Sequence, residues 1–475
     1  MKSKIYYILM VLLSIISVYL GFNSTIIPDI ALYIIIGIYI FNLLIIYLAL
    51  KSQKKGKRKR KLKKKIAYSF ITFFTIILLI IDVVLCLIYF RANNFFDKIT
   101  NIKYETNNYS IIVLKDSKVE KLEDLSNIGV YGTSIDKSFE KAIKELNSKV
   151  DIENKNYDSI IELINDLYNQ KIESIFINEN YIDLINENDE EFKESIKIIE
   201  KISVETLSEK NNNVINLNKL ESFNVYISGI DTYGEISNVS RSDVNIIATV
   251  SLKNSKILLT NTPRDYYVQL YGTTGNKDKL THAGMYGVNT SIKTLEELYD
   301  TKINYYVRVN FNTLITLVDS IGGIDIYSDA EFVPYTNRSV YVKYGWNHFN
   351  GEEALAYSRE RMTYLEGDRH RGQNQQQVIE AIMKKITKSR DINTYLNLLN
   401  VLENSIQTNM NKKLINNFIN LQIKNNYNWT FESIGVTGSD SGNYTYSYPG
   451  QYLYVMEPDY DSVNEAKEKI KEALK

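Results

Sequence analysis

Across 475 residues the chain carries 56 Lys and Arg against 56 Asp and Glu, a balance that hides a division. Residues 1–95 hold 14 basic residues against Asp29 and Asp82, a net +12, which leaves 42 basic against 54 acidic residues, or −12, in residues 96–475. An acidic body argues against nucleic acid as its partner, because a phosphate backbone demands an extended positive surface. The one cysteine, Cys86, excludes an intrachain disulfide and a multi-cysteine metal site.

Three apolar runs open the chain, at residues 5–22, 30–50 and 66–90. Each is near the roughly 20 residues that cross a bilayer as a helix, so three transmembrane helices are expected over residues 1–95. Between the second and third, residues 51–65 carry eleven Lys and Arg. Such a loop stays in the cytoplasm. A multi-pass protein of the cell membrane follows, with everything after residue 90 outside the cell. The basic loop could meet nucleic acid, yet beside two spans it more simply sets topology and attracts anionic lipid. A cleaved signal peptide in place of the first span lacks a small-residue cleavage site. Asp82 falls in the third span, where an unpaired carboxylate is costly; it is either a functional group or satisfied by a partner protein or a neighbouring span.

The exterior residues read as α/β. Strands are expected at 109–114 and 174–177 and helices at 119–125, 137–146 and 158–169, which make a small accessory domain over residues 100–204. It shows no concentration of catalytic residues and reads as structural or protein-binding. A polar stretch, residues 205–218, is the expected linker. In residues 219–475, β-rich runs at 223–229, 244–252, 255–261 and 305–309 suit a sheet buried on both faces. A helix over 311–320 ends at Gly322 and Gly323, and a strand at 324–327 follows. Helices are expected at 352–357, 371–386, 394–405, 414–424 and 462–474, with further strands at 429–434 and 451–456. The fold class is thus α/β, a mixed central sheet flanked by helices.

The chemistry concentrates where Arg359, Arg361, Arg369 and Arg371 fall within thirteen residues. Such a cluster is either a clamp for a pyrophosphate, whose oxygens match guanidinium geometry, or a solvated basic face. Asp231 ends one expected strand and Arg241 with Asp243 begins the next, at the sheet edge where α/β folds place ligands. Two carboxylates beside a phosphate-binding arginine suit magnesium, or manganese; strand-end salt bridges and turn aspartates are the plain alternative. Arg264 and Asp265 repeat the theme after the following strand. His282, His348 and His370 are too scattered for a histidine metal site.

Taken in order, residues 229–231, 241–245, 262–265, 279–283, 318–325, 359–361 and 368–375 resemble the LytR-CpsA-Psr family, and the expected spans with an extra domain look like its capsule-associated, CpsA-like branch. The resemblance implies an enzyme that moves a glycopolymer, capsular polysaccharide or teichoic-acid-like, from polyprenyl diphosphate to peptidoglycan through a phosphodiester. Asp231 and Asp243 would then serve the metal. Arg241, Arg264, Arg359, Arg361, Arg371 and Gln375 would hold the pyrophosphate, and Asp368, Arg371 and Gln375 would act catalytically. Partners would be the lipid-linked polymer, peptidoglycan, the membrane and capsule-assembly proteins. Departures from the family pattern stand at Thr262, Thr281 and Asn374. The rival reading is a membrane-anchored regulator that binds lipid-linked polymer without turnover.

Overall fold

The computed structural model describes residues 104–207, 221–230, 232, 235–364, 367–389, 398 and 405–475, together with 29–52 and scattered positions within 8–19 and 73–90. Its contacts divide the chain into two units, residues 1–98 with 410–427, and residues 99–409 with 428–475.

In the first unit the second apolar run forms a helix, Asp29–Ser52. Much of the first and third runs lies outside the described residues. Among the described residues no helix is long and apolar enough to cross a membrane, so the three expected spans are not supported by the structure. The side chains nevertheless sort in the opposite sense to a water-soluble bundle. Phe41, 65 % exposed, and Ile34, Leu44, Val83 and Leu87 point outward, whereas Asn42 and Asp82, 5 % exposed, are buried. Asp82 accepts from the Ser17 hydroxyl at 2.6 Å and from the Tyr39 hydroxyl. Both bonds end on Oδ1, so these neighbours satisfy one of its two oxygens.

The second unit is built on two main sheets, with three two-stranded ribbons beside them. The first has strands β1 Tyr104–Leu114, β2 Asn127–Val130, β3 Glu153–Asn156, β4 Ile175–Asn178 and β5 Ile196–Leu207, in the order β3-β2-β4-β1-β5. Helices α1 Phe139–Lys149, α2 Ile160–Tyr168 and α3 Asn180–Asn186 pack on it. Ser159 caps α2 by accepting from the Glu162 amide, and its apolar stripe of Ile160, Leu163, Ile164 and Leu167 is buried. Two expectations change here. Residues 119–125 form only a three-residue 3₁₀ turn, Leu122–Asp124, and β5 runs three residues into the expected linker.

The larger sheet is built from β6 Phe223–Ile230, β7 Ser242–Ser251 and β8 Lys256–Asn261. A small ribbon follows, β9 Tyr267–Val268 with β10 Asp278–Lys279, and then β11 Tyr305–Val309, the outer hairpin β12 Ile324–Ser328 and β13 Gly345–Phe349, β14 Ile406–Thr408, β15 Thr430–Gly435, and the hairpin β16 Gly438–Tyr444 and β17 Tyr452–Pro458. The main sheet runs β14-β11-β6-β7-β8-β15. β11 lies parallel to β6 and β15 parallel to β8, while the central pairs are antiparallel, so the sheet is mixed as expected. Its helices are α4 Val288–Tyr299, α5 Phe311–Ser320, α6 Gly351–Arg359, α7 Asp368–Lys388 and α8 Tyr460–Ala473. One face packs under α4 and α8, through Leu295, Tyr299, Val463 and Ile470. The helix expected at 394–405 falls almost wholly outside the described residues.

Candidate active site

Strand direction gathers the charged residues. The C-terminal ends of β6, β8, β11 and β15 and the N-terminal end of β7 share one edge of the sheet. At that edge a β-bulge shifts the β6–β7 register at Gly229, where a Cβ would stand 2.6 Å from Val244. Two helices complete the rim. An Asn350–Glu353 capping box starts α6, which ends at Arg359, and α7 opens at Asp368. Gly372 lets α7 approach β8, since a Cβ there would meet the Asn261 amide.

These elements enclose a cavity of about 640 Å³. Arg264, Lys279, Arg359, Arg361, Arg371, Gln375 and four carboxylates, Glu187, Asp243, Asp265 and Asp368, line it together with the apolar side chains of Ile227, Ile230, Val309, Phe311, Leu314, Leu355, Val378 and Ile379. Asp243 is the hub. Its Oδ2 pairs with Arg264 Nη1 at 2.6 Å, and its Oδ1 accepts from the Thr281 hydroxyl at 3.1 Å. Burial alone would push the Asp243 carboxyl up, but Arg264, Arg371 and Arg241 outweigh it and hold the group ionised below the usual range. Arg371 Nη2 stands 2.5 Å from Asp368 Oδ1. Here burial wins: the Asp368 carboxyl is pushed above its ordinary value, with Arg371 opposing.

The remaining cations are held differently. Lys279 Nζ lies 3.3 Å from Asp265 and Arg359 stacks 4.3 Å over the Phe311 ring, whereas Arg241, expected among the pyrophosphate ligands, pairs with Glu187 and is not among the residues that line the cavity. Arg361 lines the cavity from an exposed position, whereas Arg369 is exposed and does not line it. Arg371 and Gln375, one turn apart on α7, both face inward. Asp231 lies outside the described residues. Among the described residues no group of three or more His, Cys, Asp or Glu gathers as a metal would require of protein ligands alone. Leu314 and Ile379 reach the cavity, while Val318 of α5 and Ile382 of α7 belong to a buried core cluster.

Sequence reasoning missed two participants. Glu360, between the two site arginines, is buried and accepts from the amides of Tyr335, Met362 and Thr363 at 2.7, 2.6 and 2.9 Å, which fixes the loop carrying Arg361. Burial would raise its carboxyl, and those amides lower it instead. Glu187 arrives from the accessory domain, a placement no local pattern announces.

The sheet edge and cavity define an α/β domain whose strand ends surround a site part cationic and part apolar. The sequence profile of the LytR_cpsA_psr family matches residues 184–469, and the chain belongs to that family. A relative from Bacillus mycoides (strain KBAB4), a polyisoprenyl-teichoic acid–peptidoglycan teichoic acid transferase TagU, is 33 % identical over 195 residues, 41 % of this chain and 62 % of that protein. The Enterococcus faecalis (strain ATCC 700802 / V583) protein of the same name is 33 % identical over 209 residues, 43 % and 67 % respectively. The match thus spans less than two thirds of the Bacillus mycoides relative's length. Among solved structures, B. subtilis TagV is 27 % identical with a TM-score of 0.46, covering 54 % of this chain and 98 % of that one. TagT bound to LI-WTA is 27 % identical with a TM-score of 0.46, covering 56 % and 97 %.

Proposed function

We propose that the chain transfers a glycopolymer from a polyprenyl-diphosphate carrier to peptidoglycan, forming a phosphodiester. The observation that carries this reading is the mixed lining of the cavity: its guanidinium groups suit a diphosphate, and its apolar side chains suit the first isoprene units of a lipid. The relatives' names point to a teichoic acid as cargo. A capsular polysaccharide is the other candidate, and no relative's name supports capsule-assembly partners. An acceptor hydroxyl attacks the phosphorus that carries the sugar polymer; the bond to the bridging oxygen breaks, and polyprenyl monophosphate leaves. Such a reaction needs positioning and charge neutralisation more than covalent help from the protein. Arg264, Arg359, Arg361 and Arg371 hold the phosphate oxygens, Gln375 adds a neutral contact, and Asp368 orients Arg371 or the acceptor hydroxyl.

Asp243 is held ionised and faces the cavity, a state that fits a hard divalent cation. Asp243 with Asp231 would hold magnesium or manganese. The cation would neutralise charge on the diphosphate. We further propose that residues 1–95 anchor the chain by three membrane spans with the basic loop in the cytoplasm and the cavity outside. The three apolar runs, and the outward apolar and inward polar side chains of the first unit, support this topology.

The test is reconstitution of the full chain in detergent with a polyprenyl-diphosphate-linked polymer and peptidoglycan. Release of polyprenyl monophosphate with polymer bound to peptidoglycan is expected, and excess chelator should abolish it. Binding of the lipid without release would favour a non-catalytic regulator.

A further inference from the structure

The hairpin β16–β17 is pinned on one face and open on the other. Leu453 and Val455 are buried, the Tyr267 hydroxyl donates to the Tyr444 carbonyl at 2.8 Å, and the Met456 amide donates to the Asp265 carbonyl at 2.8 Å. Tyr444 stands opposite Tyr452 across the hairpin, and Tyr454 follows Tyr452 by two residues, so the three rings share the outer face. Tyr444, Tyr452 and Tyr454 are 46 %, 63 % and 46 % exposed. Tyr454 lines the cavity, where its ring lies 5.9 Å from Lys279 Nζ. Tyr452 stands roughly 7 Å along the strand from it. The Tyr452 and Tyr444 rings meet edge to face, with centroids 4.9 Å apart. A row of rings thus starts in the cavity beside its charged residues and runs out of it.

What such a row can recognise follows from its chemistry. Gly442 stands opposite Tyr454, and a Cβ there would lie 2.8 Å from the Tyr452 ring, so its absence lets that ring lie down on the hairpin. Of the residues of β16 and β17, one charged side chain shares this face, Asp440, which accepts from the Tyr454 hydroxyl at 2.8 Å. An anionic lipid surface or a phosphate-bearing polymer calls for basic residues, and this face of the hairpin has none. Exposed rings can instead stack on the C–H faces of sugars, while phenol and carboxylate oxygens bond to sugar hydroxyls.

We propose that Tyr454, Tyr452 and Tyr444 seat the glycan strand of peptidoglycan, so that an acceptor hydroxyl enters the cavity beside the diphosphate. The occupant is the acceptor and not the cargo, because a teichoic acid carries phosphate along its backbone and Asp440 repels it. This inference rests on the proposed function for the identity of the acceptor.

The experiment uses the full chain in detergent and measures binding of peptide-free peptidoglycan glycan strands, of soluble teichoic acid and of geranylgeranyl diphosphate. Wild type is compared with Tyr452→Ala, Tyr444→Ala and Tyr452→Phe, which keeps the ring. Both Ala variants should bind the glycan roughly three- to tenfold more weakly, and Tyr452→Phe should match wild type. Diphosphate affinity should hold in all three, and in turnover KM for the glycan should rise while kcat holds. Thermal melts identify any Ala variant that fails to fold, in which case the other carries the comparison. Unchanged glycan binding in the Ala variants overturns the inference. So does a loss of teichoic acid binding in place of glycan binding, which would assign the row to the cargo, or a loss of self-association with glycan binding kept, which would assign it to a second copy of the chain. Failure of the wild type to bind the diphosphate would overturn the proposed function itself and would leave the glycan comparison readable.

Discussion

Arg371→Lys is the most informative single change, because it keeps the charge and removes the geometry. Arg371 is 8 % exposed, with Nη2 2.5 Å from Asp368 Oδ1 and Gln375 one turn further along α7. A guanidinium can give one edge to Asp368 and the other to a phosphate. An ammonium cannot reproduce that planar fork. Loss of one charge-assisted hydrogen bond costs about 1.5–3 kcal/mol, roughly ten- to a hundredfold in binding. Arg369→Lys, at an exposed position outside the cavity, should stay within about 0.5 kcal/mol, near twofold. Geranylgeranyl diphosphate affinity and turnover are compared for both variants and wild type, with thermal melts to check folding. Equal losses at both positions, or none at Arg371, would refute the assigned orientation.

Asp243→Asn should lower the melting temperature as well as activity, since buried Arg264 loses its nearer carboxylate and keeps only Asp265 at 3.9 Å; removal of one member of a buried pair costs up to about 3–5 kcal/mol. The rate should have an acidic limb above the ordinary aspartate value of 3.8, because burial raises the Asp368 carboxyl and protonation there releases Arg371. The sign is fixed: activity falls as pH drops through the raised pKa, and in Asp368→Asn a pH–rate profile should lose that limb. Gly372→Ala should destabilise by about 1–3 kcal/mol in urea melts, as its Cβ must displace Asn261 and push α7 from β8. In a Cys86→Ser protein, a single cysteine placed at the exposed Lys253 should react with an impermeant reagent on intact cells. Reaction only after permeabilisation would reverse the proposed topology.

Much of the larger domain was legible because its physics is local. Apolar, β-branched runs marked β6, β7, β8 and β11, since a strand covered on both faces has no polar face to confuse the pattern. Four-residue spacing put Arg371 and Gln375 on one face before any coordinates. β5 was hidden for the converse reason. Its burial alternates and its outer face carries Lys201, Ser203 and Glu205, so its end looked like linker. The 122–124 turn failed as a helix because β2 begins at Asn127 and leaves no room for a second turn. α4 is anchored at its N-terminus by Glu105, which accepts from the Val288 amide at 3.0 Å across 183 residues; no window of sequence contains that pair.

By itself the sequence determined the residue types at the site and their local geometry: arginines in pairs, carboxylates at strand ends, an acidic exterior beside a basic, apolar N-terminus. Propensity, periodicity and charge act over a few residues and are written in the order of the chain. Only the tertiary structure decided which charges meet. Asp243 answers to Arg264 and Thr281, Asp368 to Arg371, and Arg241 to Glu187 of another domain. Those pairings depend on strand direction, on a bulge at Gly229 and on the approach that Gly372 permits. Electrostatic energy depends on separation in space, which the order of residues leaves open until the sheet closes.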